Sequence, residues 1–406
     1  MKKLNVNVGS LNPFRRETGF VALDIGSSSI KMVEAVGEKS GYRLVNMGIL
    51  PLPPTAVQNN MIAEKDVVVK AIQNLIQTNG VKATQVISAV PGRAVIIKKI
   101  QLPAQSEEEL QANVEFEANN VIPESLENVN LDYQVLNYVD DGSKMDVLLV
   151  AVKKEIINSY TQVIQEAGLT PMIMDVDYFA LENMYETGYE VKPDEGVGLI
   201  HVGARYTSIN VLKGGISSFT GDLPVGGEAF TENLAEALSI SYDQAETFKV
   251  TGLLEGKKDA NLGSLVQPAC ESLAEEIART LSLYGAMASD EGINCMYLSG
   301  GGAKVPGLAP ILSERLGVLS GGRATNDSHQ STAGSRDIGR IRSAPRDHGC
   351  RRDLGAGRHR ARRPLLDAVS NRFRFGGGAR EPEPRGGSSQ HQGKRRGRTR
   401  EQGRGA

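Results

Sequence analysis

Two short polar stretches carry the residue types that hold phosphate. Residues 24–31 read Asp-Ile-Gly-Ser-Ser-Ser-Ile-Lys, and residues 201–210 read His-Val-Gly-Ala-Arg-Tyr-Thr-Ser-Ile-Asn. In the first, Gly26 lets the backbone approach a ligand closely, while Ser27, Ser28 and Ser29 offer amides and hydroxyls to phosphate oxygens. Asp24 is placed to hold Mg2+ directly or through water, and Lys31 either meets a phosphate or lies exposed on a strand. Apolar runs of strand length flank each turn: residues 20–25 and 30–36 around 26–29, and residues 197–202 and 209–212 around 203–208. The chain therefore makes one strand-turn-strand plan twice, and two such turns facing each other would clamp a polyphosphate from both sides.

Asp-Ile-Gly-Ser-Ser-Ser alone is ordinary turn chemistry. The repeat, together with Val225-Gly226-Gly227 and Ser299-Gly300-Gly301-Gly302, makes four glycine-bearing junctions, each after an apolar strand. The last of them joins a strand at 295–298 to a helix at 308–316, where free amides would favour an anion or a sugar. Neither GxxxxGK[ST] nor a GxGxxG on a first βα turn occurs, so P-loop and Rossmann readings lack support. His201 stands where Asp24 stands in the first copy. A neutral imidazole does not replace a carboxylate beside Mg2+, and a protonated one repels the ion; the plainer reading is a buried strand histidine satisfied by a neighbour. No carboxylate follows the second turn closely enough to nominate as a base.

The elements that must position these turns follow from periodicity. Val68, Ala71, Ile72, Leu75 and Ile76 recur at helical spacing over residues 66–78, with Gly80 closing the end. Residues 83–168 have the order of two strands (86–90, 94–101), a helix, two strands (131–138, 145–152) and a helix (154–167), the middle helix opened by a Ser106-Glu107-Glu108-Glu109 capping box and stopped by Pro123. That order suits a small inserted α/β subdomain. After the second hairpin come a strand at 220–227 and helices at 228–237, 241–251 and 263–289.

A chain of 406 residues is longer than one core usually serves, so two or more domains are expected. The longest apolar run, near residues 147–152, is too short to span a bilayer, and residues 1–17 lack the apolar centre of a signal peptide. These features lead to the expectation of a cytoplasmic protein. Cys270, Cys295 and Cys350 form no CxxC pair and no metal spacing, as reduced thiols would. The net charge of −2 conceals a split, for residues 319–406 hold 21 Lys and Arg against 8 Asp and Glu. That stretch has no hydrophobic period. An Arg-rich tail for nucleic acid or acidic lipid, a solvated linker, and a translation of GC-rich DNA in the wrong frame after about Val318 all fit its composition. Residues 350–363 back-translate with GC-rich codons so that a shifted frame reads Ala-Val-Ala and then Val-Gly-Ile-Gly-Leu-Ala, an apolar helix.

The order of residues 24–31, 201–210, Gly226-Gly227 and 299–302 resembles the actin/Hsp70/FtsA superfamily, and within it the PilM family of type IV pilus assembly proteins. Leu-Asp-Ile-Gly-Ser-Ser-Ser-Ile-Lys at 23–31, Ile122-Pro123, Leu-Asp-Tyr-Gln-Val-Leu at 131–136, and Gly226-Gly227 with Phe230-Thr231 carry the resemblance over about residues 18–318. It implies an α/β, two-lobed actin-like ATPase fold of duplicated ribonuclease H-like domains with an inserted FtsA-type 1C subdomain. Its subdomains would be 1A (18–82 and 169–194), 1C (83–168), 2A (195–227 and 290–318, incomplete) and 2B (228–289), between a flexible 1–17 and a basic 319–406. ATP with Mg2+ would lie between the lobes, held by Asp24, Gly26, Ser27, Ser28, Ser29 and Lys31. Gly203, Gly226 and Gly227 would line the other wall, Gly300, Gly301 and Gly302 would approach the adenosine, and Glu246 and Lys249 would reach the ribose. The implied partner is the cytoplasmic N-terminal segment of a PilN-like inner-membrane protein, other motor components and a homo-oligomeric ring being open. Weak ATPase activity at most is implied, because His201 replaces the usual phosphate-2 Asp. An FtsA-like membrane-tethered filament protein and a sugar-kinase-like phosphotransferase are the alternatives on the same fold. With the tail as written, the second lobe would also lack a sheet edge.

Overall fold

The computed structural model describes residues 19–38, 41–254, 256, 261–287 and 292–316, and the backbone of Gly339–Arg342. The polar lead-in and most of the basic tail lie outside the described residues.

The first lobe opens on an antiparallel meander, β1 (Gly19–Ile25), β2 (Ser29–Glu38) and β3 (Gly41–Pro51). A two-residue pair, β4 (Val57–Gln58) with β5 (Met61–Ile62), leads into α1 (Lys65–Thr78), which buries Val68, Ala71, Ile72 and Leu75. β6 (Gln85–Val90) then joins β1 in parallel. Here the chain leaves the lobe to form β7 (Val95–Pro103), α2 (Glu107–Val121), β8 (Val129–Val139) and β9 (Lys144–Lys153), a separate sheet of order β7-β9-β8. The expected capping box opens α2, with Ser106 Oγ accepting from the Glu109 amide and the Glu109 carboxylate accepting from the Ser106 amide. α3 (Lys154–Glu166) returns, β10 (Thr170–Val176) pairs in parallel with β6, and α4 (Asp177–Gly188) crosses to the second lobe. The lobe sheet runs β10-β6-β1-β2-β3.

The stretch 83–168, expected as one insert, is thus divided. β6 hydrogen-bonds within the lobe sheet, and α3 sends Ile156, Ile157, Tyr160, Val163 and Ile164 into the lobe core, so the insert is β7 through β9 alone. β9 explains the longest apolar run. Met145, Val147, Leu149 and Ala151 face the insert core, while Leu148, Val150 and Val152 face the lobe core, so both faces of one strand are apolar.

The second lobe repeats the meander with β11 (Gly196–Val202), β12 (Thr207–Lys213) and β13 (Ile216–Leu223). Three helices follow, α5 (Gly227–Leu238), α6 (Tyr242–Thr251) and α7 (Leu262–Met287). β14 (Cys295–Ser299) pairs in parallel with β11 and leads to α8 (Leu308–Leu316). Residues of α5, α6, α7 and α8 share one core with the sheet. β15 (Gly339–Arg342) pairs antiparallel with β14 and gives the order β13-β12-β11-β14-β15, so a short edge strand stands where the sequence led us to expect an open edge.

Candidate functional site at the lobe junction

The two hairpin turns have the same closure. The Gly26 amide donates to the Ser29 carbonyl at 3.1 Å, and the Gly203 amide donates to the Tyr206 carbonyl at 2.9 Å. Ile25 faces Ile30 and Val202 faces Thr207, so both turns are four residues long and the second spans 203–206, shorter than the 203–208 expected. One step out, Asp24 pairs with Lys31 and His201 with Ser208.

In the first lobe Asp24 Oδ2 and Lys31 Nζ form a salt bridge of 2.8 Å, both side chains largely exposed. The Leu52 amide donates to the Ser28 carbonyl at 2.8 Å and pins the turn to the chain beyond β3. A Cβ on Gly26 would lie 3.3 Å from the Ser29 carbonyl oxygen.

In the second lobe three glycine junctions gather at the carboxyl ends of β11 and β14. The amides of Gly227 and Glu228 donate to the carbonyls of Gly203 and Ala204, each at 2.8 Å. These first-turn amides of α5 are therefore spent inside the protein, and the two glycines serve close packing. A Cβ on Gly226 would fall 2.6 Å from the Ala204 carbonyl oxygen. Gly300, at φ +89°, and Gly302 both press on Val202, whereas Gly301 has open space around its Cα. Glu246 and Lys249 come together on the same wall. Lys249 Nζ donates to Glu246 Oε2 at 2.6 Å, to Thr231 Oγ1 at 2.7 Å and to the Gly227 carbonyl at 2.9 Å.

His201 is held as a satisfied strand histidine, with Nδ1 3.0 Å from Ser299 Oγ. Burial lowers its pKa, opposed by the charge of Asp24 and reinforced by that of Lys31, so the ring is neutral near pH 7. Asp24 and Lys31 belong to the first lobe, so their charges reach the His201 ring of the second.

Other side chains at this junction were not legible as site residues. Asp177, at the start of α4, accepts from the Gly92 amide at 2.8 Å; burial, then Asp222 and Asp24, push its pKa up to about 7. The Tyr178 hydroxyl donates to Asp222, and Ser208 Oγ donates to the other carboxylate oxygen at 2.9 Å. Burial raises Asp222 as well. No carboxylate follows the second turn closely in sequence; Asp177 and Asp222 come to the junction through β10 and β13. Asp177 closes a strand before a helix much as Asp24 closes a strand before a turn, and that parallel was the available signal. Arg93 lies over the Tyr206 ring, 3.1 Å from its centroid, and Arg205 Nη1 and Nη2 donate to the carbonyls of Val57 and Pro54 at 2.8 and 2.5 Å. The Tyr160 hydroxyl, buried in the first-lobe core and acted on by the charges of Asp24, Asp177 and Arg93, has no hydrogen-bond partner among the described residues. Nor do the described residues include a group of three or more His, Cys, Asp or Glu suited to a metal.

Residues 22–321 match the family described as type IV pilus assembly protein PilM. The chain belongs to the PilM family. The solved structure of a PilM-PilN type IV pilus biogenesis complex is similar to this PilM-family chain at TM-score 0.63 and 27% identity, over 74% of this chain and 87% of that one. Cell division protein FtsA of Streptococcus pneumoniae serotype 2 (strain D39) is 22% identical over 348 residues, covering 75% of each chain. FtsA of Bacillus subtilis (strain 168) is 23% identical over 346 residues, 73% of this chain and 76% of that relative. The two-lobed actin-like ATPase fold expected from the sequence is the fold observed. No described helix is long and apolar enough to cross a membrane.

Proposed function

We propose that this PilM-family chain binds ATP between its lobes and, in a manner set by nucleotide state, binds the cytoplasmic N-terminal segment of a PilN-like inner-membrane protein. The partner assignment rests on likeness to the PilM-PilN complex, 87% of the matched chain of which is covered. The observation that carries the nucleotide reading is the pair of equally closed turns, one in each lobe, with the charges of Asp24 and Lys31 on the first acting on His201 beside the second. The Tyr160 hydroxyl, without a hydrogen-bond partner among the described residues, is the kind of orphaned polar atom that a polar ligand or its water would satisfy. In this reading Ser27, Ser28 and Lys31 meet the phosphates, and Asp24 holds Mg2+ with oxygens from phosphate and water completing its shell. Bound ATP would supply the polyphosphate that bridges the two turns. Gly301 is the open position of its loop and would approach the adenosine. Glu246 and Lys249 keep the ribose role assigned from the resemblance, as an ion pair already set against α5. His201, neutral and tied to Ser299, gives the metal no second carboxylate, which favours binding over turnover.

A fluorescent ATP analogue titrated onto the full chain with Mg2+ tests the first half: saturable binding is expected, with Asp24→Ala weakening it about tenfold or more. Absence of saturable binding removes the nucleotide reading. A PilN-like N-terminal peptide titrated with and without ATP tests the second half, where an unchanged affinity removes gating and no binding removes the partner.

A further inference from the structure

Three parallel strands of the first-lobe sheet end side by side at the junction. β1 closes on Asp24 and the first turn, β6 on Pro91-Gly92-Arg93 and β10 on Asp177. Sheets of this kind take ligands at the carboxyl ends of their strands. Of the cations met above, three already face a carboxylate: Lys31 lies 2.8 Å from Asp24, Arg205 3.2 Å from Glu228 and Lys249 2.6 Å from Glu246. Arg93, by contrast, makes no hydrogen bond and no ion pair among the described residues. It rests on the ring of Tyr206, the last residue of the second turn, and so reaches from the first-lobe edge to the second lobe.

Stacking engages the face of a guanidinium and leaves its in-plane N–H donors unspent. The loop beneath Arg93 is held in place, since the Gly92 amide donates to Asp177 at 2.8 Å and a Cβ on Gly92 would fall 2.1 Å from the Tyr178 ring. The charge of Arg93 acts on Tyr160, where that of Asp24 also acts, and on Tyr178 and Asp222. Asp24 and Asp222 in turn act on Asp177, so an anion entering this edge meets three carboxylates. Each negative charge added there needs a cation to offset it, most of all where water is excluded. Lys31 is already matched by Asp24, and Arg93 has no such match. We infer that Arg93 donates to the terminal phosphate of the bound nucleotide and makes the site prefer a nucleoside triphosphate to the diphosphate. This inference rests on the nucleotide reading above and names the residue that tells ATP from ADP.

Calorimetric titration of the full chain with ATP and with ADP, each with Mg2+, tests it. The parent should bind ATP the more tightly. Arg93→Met keeps an unbranched stem against the Tyr206 ring, and it should lose about tenfold or more in ATP affinity but about twofold or less in ADP affinity, as removal of a charge-assisted contact to one phosphate requires. Arg93→Lys keeps the charge without the planar fork and should fall between parent and Met variant for ATP. A melting curve accompanies each variant, and the lysine variant carries the test if the methionine variant does not fold. Equal losses for ATP and ADP would show that Arg93 only holds the junction, and an ATP affinity that neither substitution changes, or a parent without preference, would also overturn the inference. A parent that binds neither nucleotide removes the nucleotide reading and this inference together, whereas one that binds both irrespective of Arg93 removes this inference alone.

Discussion

Asp177 retains some accessible surface, yet protein atoms crowd its carboxyl closely enough that burial outweighs the stabilising hydrogen bond from Gly92. Its ordinary value of 3.8 applies to the unfolded chain and about 7 to the folded one. Between those values the folded protein keeps a proton that the unfolded chain has released, so stability falls as pH rises through this window. Asp222 and Asp24 face the same carboxyl and push it the same way, whereas the Gly92 and Tyr178 amides oppose them. Asp177→Asn preserves the carbonyl that accepts from Gly92 and removes the charge. Urea unfolding should show the variant gaining on the parent from pH 5 to pH 8, by at most about 3 kcal/mol, the part of the shift that lies above pH 5. A parallel pH profile for the two proteins would show that the carboxyl is solvated. Asp222, which burial raises, adds to the residual slope of the variant in the same direction, and His201, which burial lowers, opposes it.

Among the elements, the loop after β14 shows how glycines of one run differ in purpose. Gly300 sits at φ +89°, and a Cβ there would lie 2.3 Å from the Val202 carbonyl oxygen. Gly301 has φ −64°, ψ −41° and open space. Gly300→Ala should therefore cost roughly 2–3 kcal/mol of stability, from backbone strain and displacement of β11, while Gly301→Ala should stay within about 0.5 kcal/mol. Thermal unfolding of both variants checks the contrast, and equal effects would mean that the loop relaxes freely. The hairpins, the α1 stripe and the α2 capping box were legible because each is specified by neighbours in sequence. β10 and α4 were not. α4 touches β6 and β10 of one lobe and β12 and β13 of the other, so it carries no one-sided apolar stripe to read. The insert was placed too widely for a related reason: β6 and α3 look like their neighbours in sequence and are claimed by the lobe core only through packing.

At the level of the whole molecule, polar and ring contacts join the lobes beside the packing of α4. Arg205 spans from the second turn to the carbonyls of Pro54 and Val57, Arg93 covers Tyr206, and Tyr178 donates to Asp222. Arg205 also engages both oxygens of Glu228 at 3.2 Å, which fixes its planar fork. Arg205→Ala should speed amide exchange over residues 54–62 and enlarge the radius of gyration in solution scattering, while global stability changes by only about 1–2 kcal/mol. Unchanged exchange in that segment would show that Arg205 does not hold it to the second lobe. The amino-acid sequence by itself determined the repeated turns, the order of strands and helices around them, the abrupt end of apolar periodicity at Val318 and the family, because each is written in local spacing and residue type. Only the tertiary structure decided that His201 comes within electrostatic reach of Asp24, that Asp24 and Asp222 act on Asp177, that the α5 amides are spent on the second turn, and that Val33, Met47 and Ile49 of the first-lobe sheet stand exposed. Those outcomes depend on which distant segments share a low-dielectric interior, and sequence separation does not record that.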